Sequence, residues 1–411
     1  MNRPATNCDA AAHPVPFWRL VLSTTAALGI LASLFLTSSV TASASGRIPL
    51  AAAGLAPATS ISRTSLAEAP AGLRAAVRAA LGGSPAHGDS PLQQAAPITT
   101  GGAVADEFGT SVAISGATAV VGVDAGADAG EAYVFVRSGT QWSRQAKLTA
   151  SDGVAGDHFG FSVAISGTSA LVGAPGRNSF TGAAYVFVRS GTHWSQQAEL
   201  TAYDGAIRNV FGWSVAISGA TALVGAYFKN QQTGAAYVFV RSGATWFRQA
   251  KLTASDGVHY ALFGWSVAIS GNSALIGAPQ RNAFTGVAYV FVRSGTHWSQ
   301  QAELIASDGA MGDQFGYSVA ISGISAAVGA PNLGTFKTRP AYVFGRSGTH
   351  WSQQSELTAS DSEAALGFGL SVAISGTTAV VGAPFMNSDV GAAYVFVPSG
   401  TIWSQQAKLI A

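Results

Sequence analysis

Apolar and polar residues follow one script six times along this chain. In its second copy, Val163 and Ile165 take one side of the run from Ser162 to Ser166, while Ser162, Ala164 and Ser166 take the other. That is the two-residue period of a strand. Three further apolar runs follow, from Ala170 to Ala174, Ala183 to Val188 and Gln197 to Ala202, rich in the Val, Tyr, Phe and Ile that strands prefer. In the third run Tyr185 and Phe187 share one face and Val186 and Val188 the opposite one. A sheet apolar on both faces must be covered on both. Ser166-Gly167-Thr168-Ser169 predicts a tight hairpin, and Ser190-Gly191-Thr192 a second. Nothing between the runs is long enough for a helix, so the pattern predicts an antiparallel meander rather than parallel crossover units.

Phe-Gly pairs open the copies at Phe108, Phe159, Phe211, Phe263, Phe315 and Phe368, at spacings of 51, 52, 52, 52 and 53 residues. A period this constant signals an array of like units. Four strands in each of six units, with both sheet faces needing cover, predict an all-β fold: a six-bladed β-propeller of four-stranded antiparallel blades.

Phe-Gly-x-Ser-Val-Ala-Ile-Ser, then Val-Gly-Ala-Pro, then Gly-Ala-Ala-Tyr-Val-Phe-Val, as at 159–166, 172–175 and 182–188, resembles the FG-GAP repeat. That repeat builds the β-propeller of integrin α-subunits and occurs in many bacterial secreted proteins. The resemblance covers residues 108–411. Gly-Ala-Pro is whole at Gly173, Gly277, Gly329 and Gly382, and altered to Gly122-Val123-Asp124 and Gly225-Ala226-Tyr227. Integrin-type repeats often carry an Asp-rich calcium loop between the first two strands. Here that place holds turns such as Ser270-Gly271-Asn272-Ser273. Calcium needs six to eight oxygens, which so short a turn does not supply. The chain resembles the short-loop bacterial variety, and neither a metal nor another cofactor is expected.

Upstream of the repeats, residues 1–44 read as a signal peptide. Arg3 and Arg19 precede the apolar stretch from Leu20 to Leu36, and Ala42-Ser43-Ala44 offers a cleavage site. Residues 45–91 form an Ala-, Ser- and Pro-rich linker in which 71–81 has helical spacing at Leu73, Val77 and Leu81. Residues 92–411 form the propeller domain. Gln93-Gln94-Ala95 stands as far before Phe108 as Gln196-Gln197-Ala198 does before Phe211. Residues 93–100 are therefore a worn seventh copy of the fourth strand, expected to meet the sixth blade and join the ring's ends. Cys8, the single cysteine, lies in the leader, so a mature chain has no thiol chemistry.

Charged residues make up 10% of the chain and the net charge is +2, too little and too dispersed for a nucleic-acid partner. The apolar excess is partly alanine and calls for no membrane insertion of the mature domain. The residues that carry chemistry mostly recur in register. Trp142, Trp194, Trp246, Trp298, Trp351 and Trp403 hold one place in a turn that resembles the sialidase Asp-box without its aspartate, and are expected to pack blades. Arg137, Arg189, Arg241, Arg293 and Arg346 recur beside outer turns, with Pro398 in the sixth copy, and are expected at the surface for solubility. Asp152, Asp204, Asp256, Asp308 and Asp361 recur after the fourth strand, the first four in Asp-Gly turns. A catalytic site needs a few differentiated groups converging in one pocket, and no nucleophile–base pair is readable. His193, His297 and His350 fall in different blades, and His158 and His259 stand alone. Asp124, Asp128 and Glu131 share one loop and could hold a weak cation.

Departures from repetition are more informative. The links from second to third strand, at 176–182, 228–234, 280–286 and 332–340, and those from fourth to first strand differ between copies. In a meander both kinds emerge on one face of the ring, which in the resembling integrins binds ligands. The candidate contacts there are Arg177, Asn178, Phe180, Tyr227, Phe228, Lys229, His259, Tyr260, Arg281, Asn282 and Phe284. The residue after each Phe-Gly (Thr110, Phe161, Trp213, Trp265, Tyr317 and Leu370) is expected at the mouth of the central channel, as filling or as an aromatic platform. The expected function is a secreted or surface-exposed, non-catalytic recognition or adhesion module for an extracellular protein or glycan. The alternatives are a structural surface or matrix component and, less favoured, a glycan-acting hydrolase.

Overall fold

A computed structural model describes residues 107–124, 128–332, 340–361, 367–385, 391–400 and 402–410. The leader, the linker with its helical stretch 71–81, and the strand copy at 93–100 lie outside the described residues. Six four-stranded sheets follow one another along the chain, each with its strands in sequence order and every pairing antiparallel. Their spans are 107–148, 162–200, 215–252, 266–304, 318–357 and 371–409. The chain is a six-bladed β-propeller.

The second blade shows how its sequence makes the unit. Its strands are β1 Ser162–Ser166, β2 Ser169–Ala174, β3 Ala183–Ser190 and β4 His193–Leu200. The Ser-Gly hairpins turn the chain within two residues, with Gly167 at φ 59° and Gly191 at φ 60°. The fourth strand starts four residues earlier than the apolar run indicates. A β-bulge explains why: Val186 faces Ala198 and Phe187 faces Gln196, which leaves Gln197 extra. The bulge shifts the alternation in mid-strand and hides it in the polar string His-Trp-Ser-Gln-Gln. Every blade carries the same bulge in its third and fourth strands.

Each blade has an aromatic face and an aliphatic one, and neighbours meet aromatic on aliphatic. Between the first and second blades, Phe159, Tyr185, Phe187 and Trp194 pack on Val120, Ala132, Val134 and Leu148. The ring of Phe159 stands edge-on to Phe187 at 5.9 Å. The next four junctions repeat this core.

Polar stitches recur at those junctions. The first-strand serines Ser111, Ser162, Ser214, Ser266 and Ser318 donate to the Phe-Gly carbonyl of the next blade at 2.8–2.9 Å. The bulge glutamines Gln145, Gln197, Gln249 and Gln301 accept from the next blade's tryptophan Nε1 at 2.8–3.1 Å. A bulge re-aims its extra side chain, here toward the neighbouring blade. The tryptophans thus pack blades, as expected. The arginines do more than solubilise: Arg189, Arg241, Arg293 and Arg346 lie over their own blade's tryptophan and donate to Thr118, Ser169, Thr221 and Ser273 of the preceding blade.

The junction between the sixth and first blades differs. Phe108 is 39% exposed, whereas its five counterparts are 0–1% exposed. Ser371 makes no cross-blade bond among the described residues, and a Cβ on Gly382 would meet only Ser371. At Gly277, the same atom would overlap the carbonyl oxygen of Gly316 in the following blade. The outer edge of the sixth blade is occupied by the chain's own fourth strand, Ile402–Leu409.

Candidate functional site

Both kinds of variable link lie on one face of the ring and are tied to each other. Phe211, Phe263 and Phe315 donate backbone N–H bonds to Thr181, Thr233 and Thr285. Val210, Leu262 and Gln314 donate likewise to Phe180, Gln232 and Phe284 at 2.7–2.9 Å. In these three blades the second-to-third link is thereby held by the fourth-to-first link that follows it.

Three of the second-to-third links contain a left-handed turn. Asn178, Ser179 and Phe180 have φ of 49°, 58° and 64°, and the same holds at Asn230–Gln232 and Asn282–Phe284. Left-handed backbone costs non-glycine residues roughly 1–2 kcal/mol each. Bonds such as Phe180 N–H to Gly176 O and Gly182 N–H to Arg177 O, both 2.9 Å, hold the turn against that cost. The turn lifts Asn178, Phe180, Asn282 and Phe284 into solvent.

Basic residues at one register anchor these links. Arg177 reaches Asp152 at 2.5 Å and Asp157 at 3.4 Å, and Arg281 reaches Asp256 at 2.5 Å. Lys229 donates to the Asp204 carbonyl and, at 3.1 Å, to Asn209 Oδ1. The repeated aspartates therefore do more than shape turns. Asp152, Asp204, Asp256, Asp308 and Asp361 also accept the hydroxyl of Tyr185, Tyr237, Tyr289, Tyr342 and Tyr394 in the following blade, at 2.7–3.0 Å. Burial pushes these phenols above their ordinary range, and the aspartates reinforce it. Burial acts to raise Asp204 too, but donors from Lys251 and Tyr237 and the lysine charges outweigh it and hold the carboxyl at about 2.

The candidate contacts divide by exposure. Asn178, Phe180, His259, Tyr260, Asn282 and Phe284 are exposed on this face, and Arg177 and Arg281 are half-buried in their ion pairs. Tyr227 and Lys229 are buried, a correction to their expected role as ligand contacts. Tyr227 stands where four of the other five copies have proline, and its ring enters the channel mouth between Trp213 and Trp265 at 4.7 and 5.0 Å. Half-buried Phe228 packs on Tyr227 at 5.1 Å. The mouth is filled by these rings together with Phe161, 4.5 Å from Trp213, and Tyr317, 5.3 Å from Trp265. The two rings between them, Trp213 and Trp265, are 5.1 Å apart.

The acidic loop of the first blade is engaged locally. Asp124 meets His158 Nδ1 at 2.7 Å, and Glu131 takes both the Tyr133 hydroxyl and Lys147. Among the described residues no group of three or more His, Cys, Asp or Glu is arranged to hold a metal. Residues that sequence reasoning missed are apolar. Val154, Ile207, Val258 and Met311 follow the Asp-Gly turns and stand exposed on the link face. Their signal was a hydrophobic residue one or two places after Asp-Gly, easily passed over because apolar residues carry no chemistry.

Six stretches, 92–135, 142–187, 194–239, 246–291, 298–344 and 351–396, match the model of the FG-GAP repeat. The chain belongs to the FG-GAP repeat family. The matched stretches begin before each Phe-Gly and end in the third strand, so the last five each span a blade boundary that the stitches secure. No curated protein matches the chain. Among the described residues of this FG-GAP propeller, no helix is long and apolar enough to cross a membrane.

Proposed function

We propose that this FG-GAP propeller is a secreted or surface-exposed recognition module, without catalysis, that binds an extracellular protein or glycan through its link face. One observation carries the proposal. Val154, Phe180, Ile207, Val258, Tyr260, Phe284 and Met311 all stand on that face, between 43% and 77% exposed. Apolar side chains gathered on one surface mark interaction sites, and aromatic ones suit protein and sugar alike. They sit on links that backbone bonds and ion pairs hold in place, which lowers the ordering cost of binding. The acidic, basic and phenolic groups that recur are bound to one another across blades, and this favours a framework role for them over catalysis. FG-GAP repeats are typical of extracellular proteins, in keeping with the export signal read at 1–44.

The test is capture from cell-surface extracts and on glycan arrays, comparing the wild-type chain with the triple variant Phe180→Ser, Tyr260→Ser, Phe284→Ser. The expected result is a partner or glycan retained by the wild type and lost by the variant at an unchanged melting temperature. Equal retention by both, or no ligand for either, overturns the proposal.

A further inference from the structure

A second feature lies on the opposite face, at the outer edge of the junction between the fifth and sixth blades, and is independent of the link face. At four junctions an arginine head lies 5.7–5.9 Å from the ring centroid of its own blade's tryptophan and donates to a hydroxyl of the preceding blade at 3.2–3.3 Å. At the fifth-to-sixth junction the arginine position is Pro398, while the tryptophan, Trp403, and the hydroxyl, Ser325, remain. Ser325 is half-buried there, whereas Thr118, Ser169, Thr221 and Ser273 are buried.

A further departure enlarges the space. Gly345 stands where the other five blades have valine. The bulge glutamine Gln354 lies over that glycine, with side-chain atoms 3.1–3.2 Å from where a Cβ would be, and donates to Ser352 at 2.9 Å. Gln145, Gln197, Gln249 and Gln301 each hold the next blade's indole, but Gln354 and Trp403 share no such bond. The result is a solvent-open cavity of about 280 Å³ whose lining includes Ser325, Gly345, Arg346, Gln354 and Trp403; the Arg346 head itself is engaged by Trp351 and Ser273.

We propose that this cavity is a guanidinium site, filled by an arginine side chain of a partner protein or by free arginine. The aromatic ring and the hydroxyl that receive a guanidinium four times elsewhere are in place, and Gln354 adds an amide. No carboxylate is needed, because Arg189 and Arg241 are held by a hydroxyl and an indole alone. A partly desolvated cation–π contact with one or two hydrogen bonds gives a dissociation constant on the order of millimolar.

The test uses the full chain with 15N-labelled tryptophan, the Trp403 indole signal being assigned from Trp403→Ala. N-acetyl-arginine methylamide and free arginine are titrated, with the lysine methylamide as control. The Trp403 signal should shift with the arginine probes, at least tenfold more weakly with lysine, and not at all in Pro398→Arg. That variant restores the residue found in the other five blades, so it should fold. Gly345→Val, which refills the cavity from the other side, should weaken the response about tenfold. Tighter binding of the capped probe identifies a peptide-borne arginine, and tighter binding of the free amino acid identifies a metabolite. No shift with either probe, an equal response to lysine, or a response that survives in Pro398→Arg overturns the proposal.

Discussion

Phe211→Ala and Phe108→Ala remove the same side chain from equivalent places in two blades, and should differ widely in cost. Phe211 is fully buried, edge-on to Tyr237 at 5.5 Å and to Phe239 at 6.1 Å, within the core that joins the second and third blades. Emptying such a site costs about 3–5 kcal/mol, because the lost transfer energy is joined by a cavity that rigid sheets do not collapse. Phe108 keeps looser contacts, 6.0 Å to Tyr133 and 6.3 Å to Phe135, and is 39% exposed. Water already reaches its ring, so the cavity contribution falls away and about 1–2 kcal/mol remains. For a domain of this size each kcal/mol moves the melting temperature by roughly 2 °C. Calorimetry on the two variants should therefore show losses of about 6–10 °C and about 2–4 °C. Because blades contact mainly their neighbours and repeat arrays lose cooperativity, the calorimetric enthalpy is compared with the van't Hoff value to establish that each transition is single. Equal losses would refute the reasoning, since they would mean that the first blade's aromatic face is covered in solution as fully as the other five.

Two further outcomes follow from the same geometry. Gly277→Ala places a methyl group against the Gly316 backbone and should destabilise by roughly 3 kcal/mol or more, whereas Gly382→Ala, which meets only a serine side chain, should cost about 1 kcal/mol; urea midpoints compare the two. Asp204 is held at about 2, below the ordinary 3.8, so its ion pairs and the Tyr237 bond contribute stability that is fully present above pH 4 and is lost as pH falls from about 4 toward 2. Discounted for solvent screening this is about 1 kcal/mol. Asp204→Asn should lower the melting temperature at pH 7 but leave it near wild type at pH 2, and a pH-independent difference would contradict the assigned ion pairs.

Much of the architecture was legible from residue order alone. Two-sided apolar strands at a fixed period demand neighbours on both faces, and only stacked like sheets supply them. Blade number, strand number and hairpins followed from that demand. The shared face of the variable links followed from the meander. The fourth strand's start did not, because the Gln197 bulge breaks the two-residue period on which strand recognition relies. Nor did the partnership of Asp204 with Tyr237, since the two are 33 residues apart and belong to adjacent blades.

The candidate surface was half legible. Phe180, Tyr260 and Phe284 stand out in solvent as their variable loops suggested. Tyr227 and Lys229, equally irregular in sequence, are turned inward: the Tyr227 ring packs on Trp213 and Trp265, and the Lys229 ammonium reaches the Asp204 carbonyl and Asn209 Oδ1. Local pattern thus determined which strands form and that they must stack. Which side chains remain free for a partner was decided only by tertiary structure. Accessibility depends on what the next blade brings alongside, and that neighbour lies some fifty residues away along the chain.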